Sequence, residues 1–341
     1  MSSCPLPVPD GDRVLLAHGG GGRESRRLLQ RHVGPALGCA LDHDGAVLDV
    51  GGARIAMTTD SYVVRPLFFQ GGDLGRLAVC GTVNDLAMCG ARPVALSLAL
   101  IAEEGLPLAT LDRVLASVAR TAAEVGVPVV TGDTKVVGRG QADGLYATTT
   151  GLGEVPPGVE IHPRRIAAGD VVLLSGDLGR HGVAVLLARE GLGLESALQS
   201  CCAPLHGAVA ALLRAGIDVR CLRDPTRGGL AAALCELAAS AGLDLEIDET
   251  ALPICAEVHA VCEILGLDPM HLACEGRMVA VVPEAQADAA LAALREVPVS
   301  AGAVRIGHVL ARDEGRVVLT GSYGARRVLD LPAGELLPRI C

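Results

Sequence analysis

The chain is poor in the residues that many binding surfaces depend on. Its 341 residues include no tryptophan, three tyrosines and two phenylalanines. Stacking of bases on aromatic rings is therefore not a main binding mode, which argues against a single-stranded nucleic-acid binder. The net charge of −10 argues against any polyanionic partner, although a cation can still neutralise the phosphates of a nucleotide.

Lysine and asparagine occur only once each. The lysine is Lys135 and the asparagine is Asn84, so arginine serves wherever else a permanent positive charge is used. A lysine ammonium is compact and can sit against a phosphate or lose its proton when buried, whereas a guanidinium stays charged and planar. Because Asp85 and Asp133 stand beside these two residues, we expect a polar site built from all four. The alternative is compositional drift that left one of each by chance.

A secretion signal and a membrane span are both missing from the sequence. The first residues lack a charged region followed by an apolar one, and the longest apolar run, near Pro93 to Ala102, is about half of a membrane span. We therefore expect a cytoplasmic protein without a membrane partner. Twelve cysteines without CxxC spacing are expected to be mostly small buried residues that are neither zinc ligands nor redox-active.

The apolar runs, glycines and prolines predict two αβ units. The expected divisions are an N-terminal glycine-rich segment over 1–40, an αβ domain over 41–155, a linker over 156–169, a second αβ domain over 170–325 and a mobile tail over 326–341. The pentapeptide Gly-Asp-Leu-Gly-Arg occurs at 72–76 and at 176–180. Each copy follows a strand-like segment and opens a helix, which hints at related halves.

Glycines, prolines and apolar periodicity also place the elements. Helices are expected over 23–31, 73–89, 108–125, 181–189, 206–215, 228–241 and 285–296. Strands are expected over 47–59 (two, around Gly51-Gly52), 93–102 (buried), 127–130, 145–152, 171–174, 243–247 and 278–282. Prolines and a glycine disfavour a helix in the tail.

Three aspartates suggest a magnesium site. Asp85 lies in a helix that is apolar nearly all round, where an unpaired carboxylate is costly. Asp60 and Asp133 are expected at strand ends, so the three can converge on Mg²⁺, a hard cation that also binds phosphate oxygens. The alternative is that Asp60 and Asp133 are ordinary capping or turn residues.

Three further segments carry weaker signals. The run from His18 to Gly22 precedes a helix and can offer backbone N–H groups to phosphates, although glycine runs are more often just flexible. Asp224 with a following proline reads first as a helix N-cap and second as a phosphate contact. Glu275, just before an apolar strand, is either a surface acid or a general base.

Cys341 is the last residue, and its own carboxylate disfavours a neighbouring thiolate. To act as a nucleophile it needs positive charge or a base from elsewhere, such as Lys135 or Glu275. About fifteen residues of tail extend up to about 50 Å, so the thiol can travel between sites. The alternative is an ordinary tail that happens to end in cysteine.

Together these segments resemble the HypE family of hydrogenase maturation proteins. The matching stretches are 18–22, 58–69, 71–75, 80–88, 131–137, 223–229 and 338–341. The terminal Pro-Arg-Ile-Cys is the most specific of them. The aspartate motifs alone also fit the wider superfamily of aminoimidazole ribonucleotide synthetase, selenophosphate synthetase and thiamine-phosphate kinase.

The resemblance implies a fold and a reaction. The fold is α+β with two related PurM-like domains, and the N-terminal domains pair across a homodimer to form a barrel, with ATP near that interface. A carbamoyl group from the partner HypF reaches Cys341, and ATP with Mg²⁺ drives dehydration of the S-carboxamide to an S-cyanide. The cyanide passes to iron on the HypC–HypD complex, for the [NiFe]-hydrogenase centre.

The resemblance also implies roles for residues. Cys341 carries the group, and Lys135 and Glu275 serve proton transfer and orientation. The expected ATP-binding residues are His18, Gly20, Asp60, Asn84, Asp85, Asp133, Thr134 and Asp224. The expected magnesium ligands are Asp60, Asp85 and Asp133.

Two departures and two alternatives qualify this interpretation. The family commonly has asparagine where this chain has Cys235 and Cys274, and a thiol at Cys274 would orient the adjacent acid poorly.

Selenophosphate synthetase would need a reactive cysteine ahead of a catalytic lysine, but Cys4 and Cys39 have no lysine nearby. A non-catalytic scaffold that only carries cyanide is the other alternative, and it predicts no ATP hydrolysis that depends on a carbamoylated Cys341.

Overall fold

The structure, a computed structural model, describes residues 13–38, 43–189, 196–331 and 339–341. The first of these segments is helical, as expected from the sequence. A single 3-10 turn, Leu16–Gly19, precedes α1 (Arg23–Leu28), which continues through a wider turn into α2 (Gly34–Leu37). The expectations for Cys4, Cys39 and most of the tail fall outside the described residues.

The first domain consists of one five-stranded sheet covered by two helices. Its elements are β1 (Ala46–Val50), β2 (Ala53–Tyr62), β3 (Phe68–Phe69), β4 (Gly72–Asp73), α3 (Leu74–Met88), β5 (Arg92–Glu103), α4 (Leu108–Val125), β6 (Val129–Val137) and β7 (Leu145–Glu154). The strand order is β1-β2-β7-β5-β6, and β3 and β4 form a separate hairpin. β5 and β6 run parallel, and their neighbours in the sheet are antiparallel.

Local sequence explains both covering helices. Asp73 caps α3, because its carboxylate accepts a hydrogen bond from the Arg76 amide at 2.9 Å. Gly126 ends α4 with φ +70°, a conformation that glycine adopts without a steric cost. Buried valines of the two helices pack together over Leu96 of the sheet.

The opposite face of this sheet is exposed and carries several large apolar side chains. Met57, Val94, Ile101 and Leu152 are each more than two-fifths exposed. At the edge, every residue of β6 except the last is exposed. The prediction of a buried strand over 93–102 is therefore wrong for most of its length, because β5 buries four of these ten residues.

The second domain is a seven-stranded sheet with helices on both faces. Its elements are β8 (Asp170–Leu174), α5 (Arg180–Leu187), α6 (His206–Arg214), β9 (Cys221–Arg223), α7 (Gly229–Ala241), β10 (Leu245–Asp248), α8 (Ala256–Leu265), β11 (Val279–Pro283), α9 (Ala287–Arg295), β12 (Val304–Val309), β13 (Val317–Thr320) and β14 (Arg326–Leu329). The strand order is β14-β13-β10-β12-β8-β11-β9.

The alternation of side chains in β8 explains why its whole run of valine and leucine is buried. Val172 and Leu174 belong to the core under α7, while Val171 and Leu173 belong to the core under α6 and α9. A strand covered on both faces has no polar side, as its sequence indicates.

Two predicted boundaries need correction. The predicted strand over 127–130 is in fact β6, and Asp133 lies in its middle rather than beyond its end. The predicted tail begins too early, because Arg326–Leu329 pairs with β13 as the edge strand β14. Among the described residues, no helix combines the length and the hydropathy that a bilayer crossing needs.

Candidate active site

Three carboxylates converge at the junction of the two domains. Asp44, Asp85 and Asp224 each place one carboxylate oxygen within 4.8 Å of the others. The Thr58 hydroxyl lies 2.7 Å from Asp85 Oδ2, and Arg223 pairs with Asp44 Oδ1 at 2.8 Å. We call Asp44, Asp85 and Asp224 the acidic cluster.

The electrostatics of the acidic cluster favour a bound cation. Burial raises the pKa of Asp44 to about 6, although Arg223 opposes that shift. Burial also raises the pKa of Asp85 and Asp224 well above the usual range, and neighbouring carboxylates add to it. Asp44 Oδ2 and Asp224 Oδ2 are buried without a hydrogen-bond partner. Because buried carboxylates of this kind are normally paired or bound to a metal, these residues fit a divalent cation.

The expected magnesium trio is only partly brought together. Asp60 lies near the acidic cluster, since its charge contributes to raising the pKa of Asp44. Asp133 does not join it within one chain. Across the sheet, Asp60 of β2 pairs with Thr149 of β7, Thr149 pairs with Leu98 of β5, and Leu98 pairs with Gly132 of β6, next to Asp133. Three steps between neighbouring strands amount to about 14 Å.

Asp44 was missed by the sequence interpretation, which placed Asp133 in this role. It lies just before β1 in the segment His43-Asp44-Gly45, whose composition is typical of an ordinary turn. Only the fold carries it against Asp85 and Asp224.

Glu275 stands beside the acidic cluster and is almost fully buried. It is 2 % exposed, and one of its carboxylate oxygens, Oε1, has no hydrogen-bond partner. Burial, then Asp224 and Asp60, raise its pKa well above the ordinary glutamate range. Of the two alternatives for Glu275, the surface acid is wrong, and a buried carboxyl with a raised pKa is suited to proton transfer.

Asn84 joins the two domains. Its Nδ2 donates to the main-chain carbonyls of Ala203 at 3.2 Å and Glu275 at 3.4 Å, and its Oδ1 accepts from the Leu205 amide at 2.7 Å. The expected contact of Asn84 with ATP is therefore replaced by a positioning role, because the amide fixes the backbone of Glu275 against α3.

The C-terminus is docked inside this site. The Val63 amide donates to the main-chain oxygen of Cys341 at 3.0 Å. Ile340 is buried in the same apolar cluster as Tyr62 and Ala273, and Cys341 packs against it. The described end of the tail is thus held in place.

Arg227 interacts electrostatically with the C-terminus. The negative charge of Cys341, a residue that carries both the thiol and the terminal carboxylate, is the largest cause that raises the pKa of Arg227, ahead of Asp60 and Glu275. Lys135 and Glu275 are the residues predicted to activate the thiol, and no role is predicted for Arg227. Its place within the segment 223–229, which carries the resemblance to the family, is the signal that could have identified it.

A cleft of about 240 Å³ leads from the surface to Asp224. One wall comes from the N-terminal segment and includes His18 and Gly19; the other comes from residues 223–236. The walls touch at Gly21, where a Cβ atom would lie 2.5 Å from the Arg227 carbonyl oxygen. The cleft lies beside Gly20 and includes Arg26, Arg223 and Arg227 among its surroundings, a composition that suits phosphates.

Lys135 and its neighbours lie apart from this site within one chain. Lys135 Nζ pairs with Asp133 at 2.8 Å on exposed β6, and the Thr134 amide donates to Asp133. Tyr62, beside the docked terminus, is separated from Thr134 by β7 and β5.

Cys274 does not take over the orienting role of the family's asparagine. Its sulfur accepts from the Gly179 amide at 3.1 Å and contacts the Leu272 carbonyl at 3.5 Å. Cys235 contacts the Leu329 carbonyl at 3.8 Å. Both thiols therefore bond to backbone, as small buried residues do.

Comparison with known proteins identifies both domains. Residues 42–155 match the family model "AIR synthase related protein, N-terminal domain", and residues 167–320 match "AIR synthase related protein, C-terminal domain". The chain is 51% identical to carbamoyl dehydratase HypE of Rhodobacter capsulatus, over 97% of this chain and 98% of that protein.

Solved structures agree with these matches. A HypE–HypF complex contains a chain with a TM-score of 0.85 and 40% identity, covering 89% of this chain and 99% of that one. HypE in complex with ATP has a TM-score of 0.81 and 45% identity, covering 96% of this chain and 100% of that one.

Proposed function

The chain belongs to the HypE family of carbamoyl dehydratases, and on that premise we propose that it converts an S-carboxamide on Cys341 to an S-cyanide with ATP. The product supplies the cyanide ligands of the [NiFe]-hydrogenase iron centre. The observation that carries this proposal is the docking of the C-terminus against Val63 and His181, at the domain junction that also holds Glu275.

The reaction must turn an amide oxygen into a leaving group. Transfer of the ATP γ-phosphoryl group to the carboxamide oxygen, with loss of one N–H proton, gives an O-phosphorylated imidate and ADP. Breaking its C–O bond then releases phosphate as the second N–H proton leaves and the C≡N bond forms. Such phosphoryl transfer depends mainly on positioning and charge neutralisation.

Glu275 is the proposed acceptor of the N–H protons. Burial raises its pKa, which makes its carboxylate a stronger base than that of an ordinary glutamate. Asn84 holds its backbone, so the carboxyl keeps its place when the tail arrives or leaves.

The proposed ATP site is the cleft between the N-terminal segment and residues 223–236. The arginines of the cleft would bind phosphates, and Asp224 belongs both to this cleft and to the acidic cluster. Asp44, Asp85 and Asp224 would hold Mg²⁺, with Asp60 nearby. When bound, that cation would neutralise charge on the phosphates.

A homodimer is the proposed state of the protein. The bare apolar face of the first sheet and the unpaired edge at β6 support it, because monomers rarely expose such surfaces. We assign Asp133, Thr134 and Lys135 to the site of the second subunit, across the barrel that two such sheets would form.

The proposed partners are those of the family. The similarity to a chain solved in complex with HypF supports HypF as the carbamoyl donor. HypC–HypD remains the proposed cyanide acceptor, and the cytoplasm the proposed location.

ATP turnover that depends on the thiol tests the proposal. With HypF and carbamoyl phosphate present to load Cys341, we expect one phosphate released by this chain per carbamoylated thiol in a single turnover. Cys341→Ser should release none, while Cys255→Ser, a control at a half-buried thiol of the second domain, should match the wild type. Equal ATP hydrolysis with and without the carbamoyl group would refute the proposal.

A further inference from the structure

Each of the last three residues of the chain makes its own contacts in the domain junction. We call the surrounding residues Val63, Arg65, Asp143, His181 and Arg189 the tail receptor. The first three come from the N-terminal domain and the other two from the C-terminal domain, so the receptor exists only where both domains meet.

The arginine of the terminus is recognised by its charge and its shape. The Arg339 guanidinium forms an ion pair with Asp143, and its Nε donates to the Val63 carbonyl at 3.0 Å. It also lies near the Tyr146 ring, at 5.7 Å from the ring centroid. A lysine or a neutral side chain could not make this set of contacts.

The isoleucine is recognised by burial and by a buried histidine. Ile340 is 6% exposed, and its carbonyl oxygen lies 2.8 Å from His181 Nε2. Because a carbonyl only accepts, Nε2 carries the proton and Nδ1 accepts from the Ser200 hydroxyl at 2.9 Å. Burial lowers the pKa of His181 to about 4, so the ring is neutral and keeps this arrangement at neutral pH.

The backbone of the terminus is bound through its carbonyl oxygens. The Arg65 amide donates to the Arg339 carbonyl at 3.2 Å, and the Val63 amide donates to the Cys341 oxygen at 3.0 Å. Arg189 adds a bond from its guanidinium to the Arg339 carbonyl at 3.1 Å. Main-chain hydrogen bonds of this kind do not depend on the side chains of the terminus, so they add affinity to the selectivity that Arg339 and Ile340 provide.

All of these contacts are non-covalent, and within the part of the tail that the structure describes they are made by residues 339–341. We infer that the tail receptor is a sequence-selective peptide-binding site that also accepts a separate C-terminus ending in Arg-Ile-Cys, as the tail of a second copy would provide. The inference concerns binding alone and does not depend on the proposed reaction.

A separate peptide lacks the advantage of attachment. Attachment to the same chain typically supplies an effective concentration of about millimolar order, so the chain's own tail stays bound unless the competitor reaches a similar concentration. A free peptide with a dissociation constant of roughly millimolar order would therefore bind tightly enough for one tail to replace another.

Displacement of the tail can be measured in the wild-type, full-length protein without ATP. The probe is acetyl-Leu-Pro-Arg-Ile-Ser, which has no thiol, and the control peptide carries glutamate in place of arginine. The readout is the rate of maleimide alkylation of Cys341, followed by mass spectrometry of the C-terminal proteolytic fragment, with Cys255 as the internal reference.

We expect about 5 mM probe to raise the Cys341 alkylation rate about two- to fourfold, while the control peptide changes it little. The Cys255 rate should stay constant. A fluorescently labelled probe should also bind the full-length Arg339→Glu, Cys341→Ser chain, whose own tail cannot dock, at least about tenfold more tightly than the labelled control. Equal effects of the two peptides, or no saturable binding to that chain, would overturn the inference.

Discussion

At the scale of single residues, the site depends on carboxyl groups whose surroundings change their acidity. Glu275 and the acidic cluster are buried close to one another, so each negative charge disfavours the next. Arg223 and Arg227 compensate part of this charge. A bound cation and a substrate would neutralise the negative charge that remains.

Glu275→Gln should abolish dehydration without unfolding the protein. Glutamine keeps the shape and the backbone bonds to Asn84 but cannot accept the N–H protons. We expect the single-turnover rate of cyanide formation to fall about 10²–10⁴-fold, with the melting temperature close to that of the wild type. Glu284→Gln, an exposed substitution, is the matched control. A Glu275→Gln rate within about threefold of the wild type would exclude Glu275 as the base.

The acidic cluster predicts an unusual dependence of stability on pH. In the folded state the pKa of Asp44 is raised from 3.8 to about 6, so the folded protein binds more protons than the unfolded one between these values. Without divalent cations, the free energy of unfolding should therefore fall as pH rises through this window, by up to about 1.4 kcal/mol per pH unit for each proton.

Urea titrations in chelator at several pH values would measure this slope. Asp44→Asn should flatten it, because the asparagine does not titrate, and Mg²⁺ should flatten it as well by favouring the charged carboxylates. Stability that rises with pH across the same window in the wild type, with an unchanged slope in Asp44→Asn, would contradict the account of the cluster.

At the scale of elements, α3 links the two halves of the site. It carries Asp85 toward the acidic cluster and Asn84 toward the backbone of the second domain. The cap at Asp73 and the apolar run of α3 can both be recognised from the local sequence. The role of Asn84 was not, because its partners, Ala203, Leu205 and Glu275, are more than a hundred residues away in the chain.

Asn84→Ala should destabilise the protein. The substitution leaves two carbonyls and one amide of the domain junction without their partner, which costs about 2–4 kcal/mol. Urea denaturation measures this cost, and Asp49→Ala on exposed β1 should change stability by less than about 0.5 kcal/mol. If the two variants were equally stable, Asn84 would not join the domains.

The sequence predicted the existence of most elements and missed several that depend on distant pairing, as well as the helix α8. α4 was predicted to the residue, since apolar spacing and Gly126 define it locally. The length of β6 and the strand β14 were missed because both are fixed by neighbours in the sheet, β5 and β13. Asp44 was missed as a site residue because only the fold brings it to Asp85 and Asp224.

At the scale of the whole molecule, the single lysine lies outside the site of its own chain. Lys135 and Asp133 occupy an exposed edge strand, about 14 Å from the strand that carries Asp60. If both contribute to one reaction, two chains must share the site. The exposed face of the first sheet would then serve the reaction as well as the formation of the dimer.

Mixed dimers test that arrangement. Lys135→Arg and Glu275→Gln chains should each be inactive, since arginine is too broad and does not lose its proton. Mixing and reassembling the two chains should restore activity in the heterodimers, because one of their two sites then receives both native residues. Activity is measured as cyanide formed on Cys341.

Val130→Glu serves as the control for assembly. Val130 is 63% exposed on β6, and a charge there should disfavour the dimer in light scattering and prevent restoration of activity. Leu108→Glu, on the exposed end of α4, should do neither. Lack of restored activity in verified heterodimers would mean that the two chains do not share a site, and it would contradict this arrangement.

The most direct test of the central claim is the intact mass of the chain after loading with carbamoyl phosphate and HypF and then incubation with Mg-ATP. The account predicts a carbamoyl adduct on Cys341 that loses one water to become a cyano adduct, and only when ATP is present. A carbamoyl adduct that persists with ATP would reduce the protein to a carrier, and an adduct on any other residue would contradict the role of the terminal thiol.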